Sequence, residues 1–311
     1  FMAITDHAEY LGFPILSAET SAALIAANEI KLRIRRGEPG LEMQLFWRNL
    51  EMQAALSRQM KTPGARETGW DHAAAAADRH NDPGRFTAFI GWEWTPRVDK
   101  AAFHRVILTT ADAYQARQFL PYSSLTSKNP EALWAYLARI KKATGADFIA
   151  IPHNSNLSQG RMFAPTRHDG TALTAQIAQK RNAFEMIAEV TQTKGTSETA
   201  PALSPDDEFA GFEIYGGRAA KPATRGDTLR GALMTGLEEE ARIGVNPFRL
   251  GMIGSTDSHA GIPSAEEPNF TGHFAFDAAL ENKSLELEDN ASGWSVSASG
   301  LAAVWARANT R

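Results

Sequence analysis

Six side chains of metal-ligand type, His7, Glu93, His104, His153, Asp257 and His259, sit at the ends of apolar runs or inside them. His7 ends FMAITDH, Glu93 ends FTAFIGWE, His153 ends DFIAIPH, and Asp257 and His259 end LGMIGSTDSH. His104 lies within AAFHRVIL, apolar on both sides. A short apolar run bounded by turn residues reads as a buried strand. A polar residue at the C-terminal end of such a strand is where an α/β barrel carries its chemistry. The pattern predicts strands that converge on one site, and the residue types predict a metal-dependent hydrolase.

The rest of the chain fits an α/β architecture. Strands are predicted at 1–6, 86–94, 102–109, 147–152, 184–191, 210–215 and 249–255. Residues 18–62 are rich in helix formers, and GEPG at 37–40 divides them into two helices. Asp71 is a plausible N-cap for a short helix through the alanines that follow His72. In NPEALWAYLARIKKATG, Asn129 fits an N-cap, Pro130 the first helical position and Gly145 the C-terminal stop. Further helices are expected at 171–182 and 227–242. Strand alternating with helix implies βα units and a mainly parallel sheet. Segments 155–170, 192–209 and 256–272 read as loops over the mouth of a site. The whole chain, 1–311, reads as a single domain, with a helical insertion at about 13–80.

Composition narrows the function classes. With 32 basic and 36 acidic residues and a net charge of −4, no basic excess points to nucleic acid. The absence of cysteine excludes disulfides and thiolate ligands. No apolar run approaches the ~18 residues expected of a membrane helix. The chain opens at Phe1 inside a strand-like run and closes on the helix-like LAAVWARANTR, so it reads as part of a longer protein. A signal peptide would lie upstream, which leaves cytoplasm and periplasm both open.

Imidazole nitrogen and carboxylate oxygen suit Zn, Mn, Fe and similar divalent ions. One carboxylate can bridge two ions roughly 3.5–4 Å apart. Glu93, in the aromatic sequence GWEWT, is the candidate bridge, because an unpaired buried carboxylate there would be costly. In TDSH, Asp257 and His259 are two apart and face the same side of a strand. A lone histidine at a strand end is more often a hydrogen-bonded structural residue. Six ligand-type residues on five apolar runs weigh against that plain reading. His72, His80, His168 and His273 have no strand before them and read as surface residues.

The motifs, in order, resemble those of the PHP (polymerase and histidinol phosphatase) superfamily: TDH, a downstream Glu, a downstream His, PHN and DSH. AITDHAEYLG, GWEWT, EVTQTKGTSET, LSPDDEFAGFEIY, GSTDSHAG and AVWARANTR look like one bacterial branch of it, domain of unknown function 3604. The resemblance implies a distorted TIM-like (β/α)7 barrel holding two or three metal ions. By position it implies that Glu93 bridges two metals and that His104 and His153 complete one of them. Asp257 would bind the other bridged metal, and His7 and His259 would serve a third. The superfamily's first His-x-His motif is absent here, and its place would be upstream of Phe1. On this reading the first strand and a C-terminal part of the barrel lie outside the chain.

The expected reaction is attack by a metal-activated water on a small anionic phosphate or sulfate ester. Asp257 would accept the water's proton, with Glu93 at the metal pair. Lys194, in TQTKGTSE, is the first candidate for holding the anion, followed by Arg161, Arg105 and Asn154. Glu189 and Glu213 lie in apolar runs, and Glu213 is a candidate for orienting a ligand histidine. Two other readings are a non-catalytic metal- or ligand-binding barrel and an amidohydrolase-like C–N hydrolase. Metal content tests the first, and a substrate panel tests the second.

Overall fold

A computed structural model describes residues 1–12, 18–60, 62–215, 223–259, 261, 273 and 300–311. After strand β1 (Met2–Ile4), helices α1 (Ala18–Arg35), α2 (Glu42–Met60) and α3 (Ala65–His80) make up the helical segment. The split at GEPG falls where expected, and α1 packs on α2. The third helix is longer than predicted. It begins after Gly64, in the left-handed conformation at φ 79°, so Asp71 lies inside it and pairs with Arg117 instead of capping.

Strands β2 (Ala88–Trp94), β3 (Arg97–Val98), β4 (Ala101–Ala102) and β5 (Arg105–Thr109) follow. The short helix α4 (Ala113–Ala116), helix α5 (Pro130–Thr144) and strand β6 (Phe148–Pro152) come next. Asn129 caps α5 through the Glu131 N–H, and Gly145 closes it at φ 75°, as the local sequence predicts. The chain then runs through α6 (Ala175–Asn182), β7 (Ile187–Gln192), β8 (Gly195–Thr196), α7 (Leu229–Ile243) and β9 (Gly251–Gly254). No strand forms at 210–215. Residues 209–213 turn, and the Glu213 carbonyl accepts from the Thr196 N–H. The final segment 300–311 is not helical either. Asn309 and Arg311 tie it to Arg85, Thr87 and Ala88, contacts that compete with a helix in so short a stretch.

The strands pair in a mixed pattern. One sheet has the order β1-β2-β5-β6, in which β1–β2 is parallel while β2–β5 and β5–β6 are antiparallel. A second has the order β8-β7-β9, with β7–β9 parallel, and β6 lies against β7. The expected mainly parallel sheet is therefore not seen among the described residues. The arm β3–β4 is short enough to return β5 beside β2 without a crossover helix.

β2 is buried along nearly its whole length, and the core forms around it. Trp92 meets Trp70, Phe119 and Phe148 at ring-centroid distances of 5.7–6.3 Å. Burying each such aromatic contributes about 2–3 kcal/mol. Gly91 is required by closeness: a Cβ there would stand 2.6 Å from the Ile107 carbonyl oxygen of β5.

Candidate metal centre

The sheet order explains how residues far apart in sequence meet. His7 follows β1, Glu93 lies near the end of β2, His104 precedes β5 and His153 follows β6. Because β5 runs antiparallel to both its neighbours, its start lies beside their ends. The register pairs Glu93 with Val106 and Arg105 with Pro152, and a parallel bridge pairs His7 with Glu93. Extending it by one residue sets His104 opposite His153. Residues two apart share a face, so all four side chains emerge on one face at one end of the sheet.

Glu93 is the hub. Its Oε1 lies 2.8 Å from His104 Nδ1 and 3.1 Å from His153 Nε2, and its Oε2 lies 2.8 Å from His7 Nδ1. Two potential triads share it: Glu93 with His104 and His153, and Glu93 with His7 and His259. Within each triad one ligand atom per residue lies within 4.8 Å of the others. Glu93, His104 and His153 are only 4%, 6% and 2% exposed. His259 is exposed, and its ring centroid is 5.5 Å from that of His7.

Electrostatics follow from this crowding. Burial alone would raise the Glu93 carboxyl, but the charge of His153 and hydrogen bonds from His104, His153 and His7 hold it well below its usual range. Burial lowers His104, and the Glu93 hydrogen bond offsets this only in part. For His153 the burial penalty is overcome by Glu93, Asp257 and Glu189, and its pKa rises to about 9. The two imidazoles share one carboxylate oxygen, so a single proton suits the pair better than two, and the opposed shifts favour His153 over His104 as its carrier.

The donor set fits a divalent ion. His104 Nε2 is buried and has no hydrogen-bond partner among the described residues, a state that costs about 1–3 kcal/mol without a bound species. The site's ligand-type groups are imidazole and carboxylate, the borderline-to-hard mix that Zn, Mn and Fe accept. Neighbouring groups hold the histidines in place. The Asn154 carboxamide oxygen accepts from the His104 N–H at 2.9 Å, and Thr95 Oγ1 lies 2.6 Å from His7 Nδ1.

The family model described as "Protein of unknown function (DUF3604)" matches residues 1–311. The chain belongs to this family. No curated protein and no solved structure matches the chain.

In this DUF3604 chain the remaining sequence candidates are placed unevenly. Asp257 stands outside both triads, and its Oδ2 accepts from Gln192 Nε2 at 2.6 Å. Its φ of +46° lies in the left-handed region, sparsely used by residues other than glycine but tolerated by aspartate. Lys194 is buried with its Nζ donating to Ser197 Oγ at 2.6 Å, and burial pulls its pKa down to about 8 despite Glu189 and Asp257 nearby. Glu189 is buried as well, and burial raises it to about 8.

Three expected substrate contacts are turned to other work. Asn154 binds the His104 backbone, Arg161 pairs with Asp99 at 3.1 Å, and Arg105 is buried against Glu185. Glu213 sits in a turn at φ +50° and not in a strand. His72, His80 and His168 are exposed as expected, but His273 is not a plain surface residue. Its ring lies 4.2 Å from that of His259, and its Nδ1 is 2.8 Å from Thr193 Oγ1.

Gln192 escaped the sequence reading. Its Nε2 donates both to the His153 carbonyl, at 3.3 Å, and to Asp257, so it ties the ends of β6 and β9 together. It ends the run EVTQ, so the same strand-end rule would have found it had amides been counted alongside metal ligands.

Proposed function

We propose that this protein is a metal-dependent hydrolase of phosphate or sulfate esters, and that its family is a branch of the PHP superfamily. The observation that carries the reading is Glu93, one buried carboxylate whose two oxygens engage different imidazoles and which belongs to two potential metal triads. That is the donor arrangement a bridging carboxylate requires. The motif order TDH, Glu, His, PHN and DSH supports the superfamily, and the closed (β/α)7 barrel is part of the same proposal.

Glu93, His104 and His153 would hold one ion, and His7, His259 and Glu93 would hold a second. Divalent ions held there would lower the pKa of a water toward ~7 and would neutralise the charge of the ester. Within the chain, Asp257 is fixed at Oδ2 by Gln192 and accepts a proton at its other oxygen. The Lys194 ammonium, buried close to Asp257 and Glu189, supplies positive charge toward an anionic group. Burial raises the Glu189 carboxyl to about 8, which weakens its hold on that positive charge at neutral pH.

The test is elemental analysis of the purified protein, followed by a panel of aryl phosphates, phosphodiesters, sulfate esters, lactones and amides. At least two divalent ions per chain are expected, together with ester hydrolysis that Glu93→Gln abolishes. Absence of bound metal under metal-replete conditions refutes the reading. Metal without turnover of any ester would instead favour a non-catalytic binding barrel, and amide turnover alone an amidohydrolase-like enzyme.

A further inference from the structure

A cavity of about 160 Å³ lies behind the first sheet, between α5, α6 and the loop after β6. Arg105 and Arg181 line its inner end, and Arg161, Arg167 and one carboxylate, Glu131, also line it. It faces away from the histidine cluster. Arg105 pairs with Trp94 in the β2–β5 register, and both alternate with His104 and Glu93, so they point through the opposite face of the sheet.

The wall carries unbalanced buried charge. Arg105 Nε is 2.9 Å from Glu185 Oε1, and Arg181 Nη2 is 2.7 Å from Glu185 Oε2. All three side chains are buried, so two guanidiniums share one carboxylate and a net positive charge remains. Arg181 Nε has no acceptor among the described residues, and Glu185 Oε2 beside it is an ion-pair contact without a well-aligned hydrogen bond. Carbonyl oxygens of Phe103 and Met162 accept from the two arginines, and the Phe248 ring lies 4.5 Å from the Arg181 guanidinium carbon. Such contacts soften an excess charge without neutralising it. Burial accordingly lowers Arg181 to about 10 even beside Glu185. Farther out, Arg161 pairs with Asp99 and Arg167 with Glu131. Both arginines are partly exposed, and pairs of that kind are weak enough to exchange partners.

We propose that this cavity binds a small oxyanion, with Arg181 supplying the buried charge and Arg161 and Arg167 closing over it. Planar guanidiniums match an oxyanion in bidentate fashion, and the bound charge completes the Arg–Glu–Arg cluster. The site is independent of the proposed metal centre, because none of the residues of either metal triad lines it.

The probe is inorganic phosphate, titrated calorimetrically in chloride buffer into the full chain and into Glu93→Gln, which disables the metal centre. A saturable site that persists in Glu93→Gln is expected, whatever additional binding the intact metal centre gives the native chain. Ala164→Leu fills the cavity without touching a charge, and Arg161→Ala removes a partly exposed lining residue. Each should raise the phosphate dissociation constant roughly tenfold or more, the scale of one lost charge-assisted hydrogen bond. Near-ultraviolet circular dichroism checks that the variants remain folded. Selenate soaked into crystals should give an anomalous peak beside Arg181. The proposal is overturned if phosphate binding disappears in Glu93→Gln, if both cavity variants bind as the native chain does, or if the anomalous peaks lie only on the outer surface.

Discussion

Glu93→Gln keeps the shape of the hub side chain and removes its charge, leaving three imidazoles without their common partner. Breaking one side of a buried ion pair costs about 3–5 kcal/mol. The pH dependence is more telling than the total. In chelator-treated protein His153 has its pKa raised from 6.5 to about 9, with Glu93 the main cause opposing burial. A shift of that size, at 1.36 kcal/mol per unit, corresponds to about 3 kcal/mol of stability. The pKa is raised in the folded state, so this contribution is fully present below pH about 6.5 and disappears as pH rises through about 9. The depressed pKa of Glu93 adds a contribution lost only as pH falls below about 4.5, outside this window.

Urea denaturation of the metal-free native chain from about pH 6 to about pH 10 should therefore show a fall of about 3 kcal/mol that Glu93→Gln lacks. Metal binding should show the opposite trend. Ligation requires neutral imidazole and releases protons, so divalent-ion affinity should rise with pH across the same window. Parallel stability curves for the two proteins would refute the assignment of His153 as the proton carrier. Metal affinity independent of pH would refute its role as a ligand.

Asn154→Ala should cost about 1 kcal/mol of stability and lower metal affinity roughly 10–100-fold without removing a ligand, as read by competition with a chromogenic chelator. Gly91→Ala should destabilise by more than about 2 kcal/mol in thermal unfolding, because its Cβ would press on the β5 backbone and cannot be relieved by a side-chain rotation. A native melting temperature in that variant would mean that β2 and β5 are not paired as described. Lys194→Met should leave stability within about 1 kcal/mol, since the lysine is already penalised by burial and burial raises Glu189 to about 8. The same variant should lose ester hydrolysis; retained turnover would remove Lys194 from the mechanism.

Much of the site was legible one residue at a time. The rule that polar residues at the ends of buried runs carry chemistry found Glu93 and His153, His104 stood out as a ligand-type residue inside an apolar run, and the structure brings the three together. The same rule could not say what an arginine beside a ligand would do. Arg105 follows His104 directly, yet strand alternation sends it through the sheet to Glu185. Arg161 and Asn154 both lie near the PHN turn, but one meets Asp99 and the other the backbone of His104. Asp257 was read together with His259 because they are two apart, but a left-handed backbone at Asp257 breaks the strand geometry that the reading assumed. His273, 80 positions beyond its Thr193 partner, carried no local signal.

By itself the sequence determined the local elements and the inventory of chemistry. Asn129, Pro130 and Gly145 set the ends of α5, GEPG separates α1 from α2, and the apolar runs other than 210–215 contain strands, because caps, turns and burial patterns depend on near neighbours. Only the tertiary structure decided that β5 runs antiparallel between β2 and β6 and that Gln192 joins His153 to Asp257. It alone left two buried arginines to share one glutamate. Those outcomes depend on which distant segments pair and in what register, and a one-residue slip would carry His104 to the other face of the sheet.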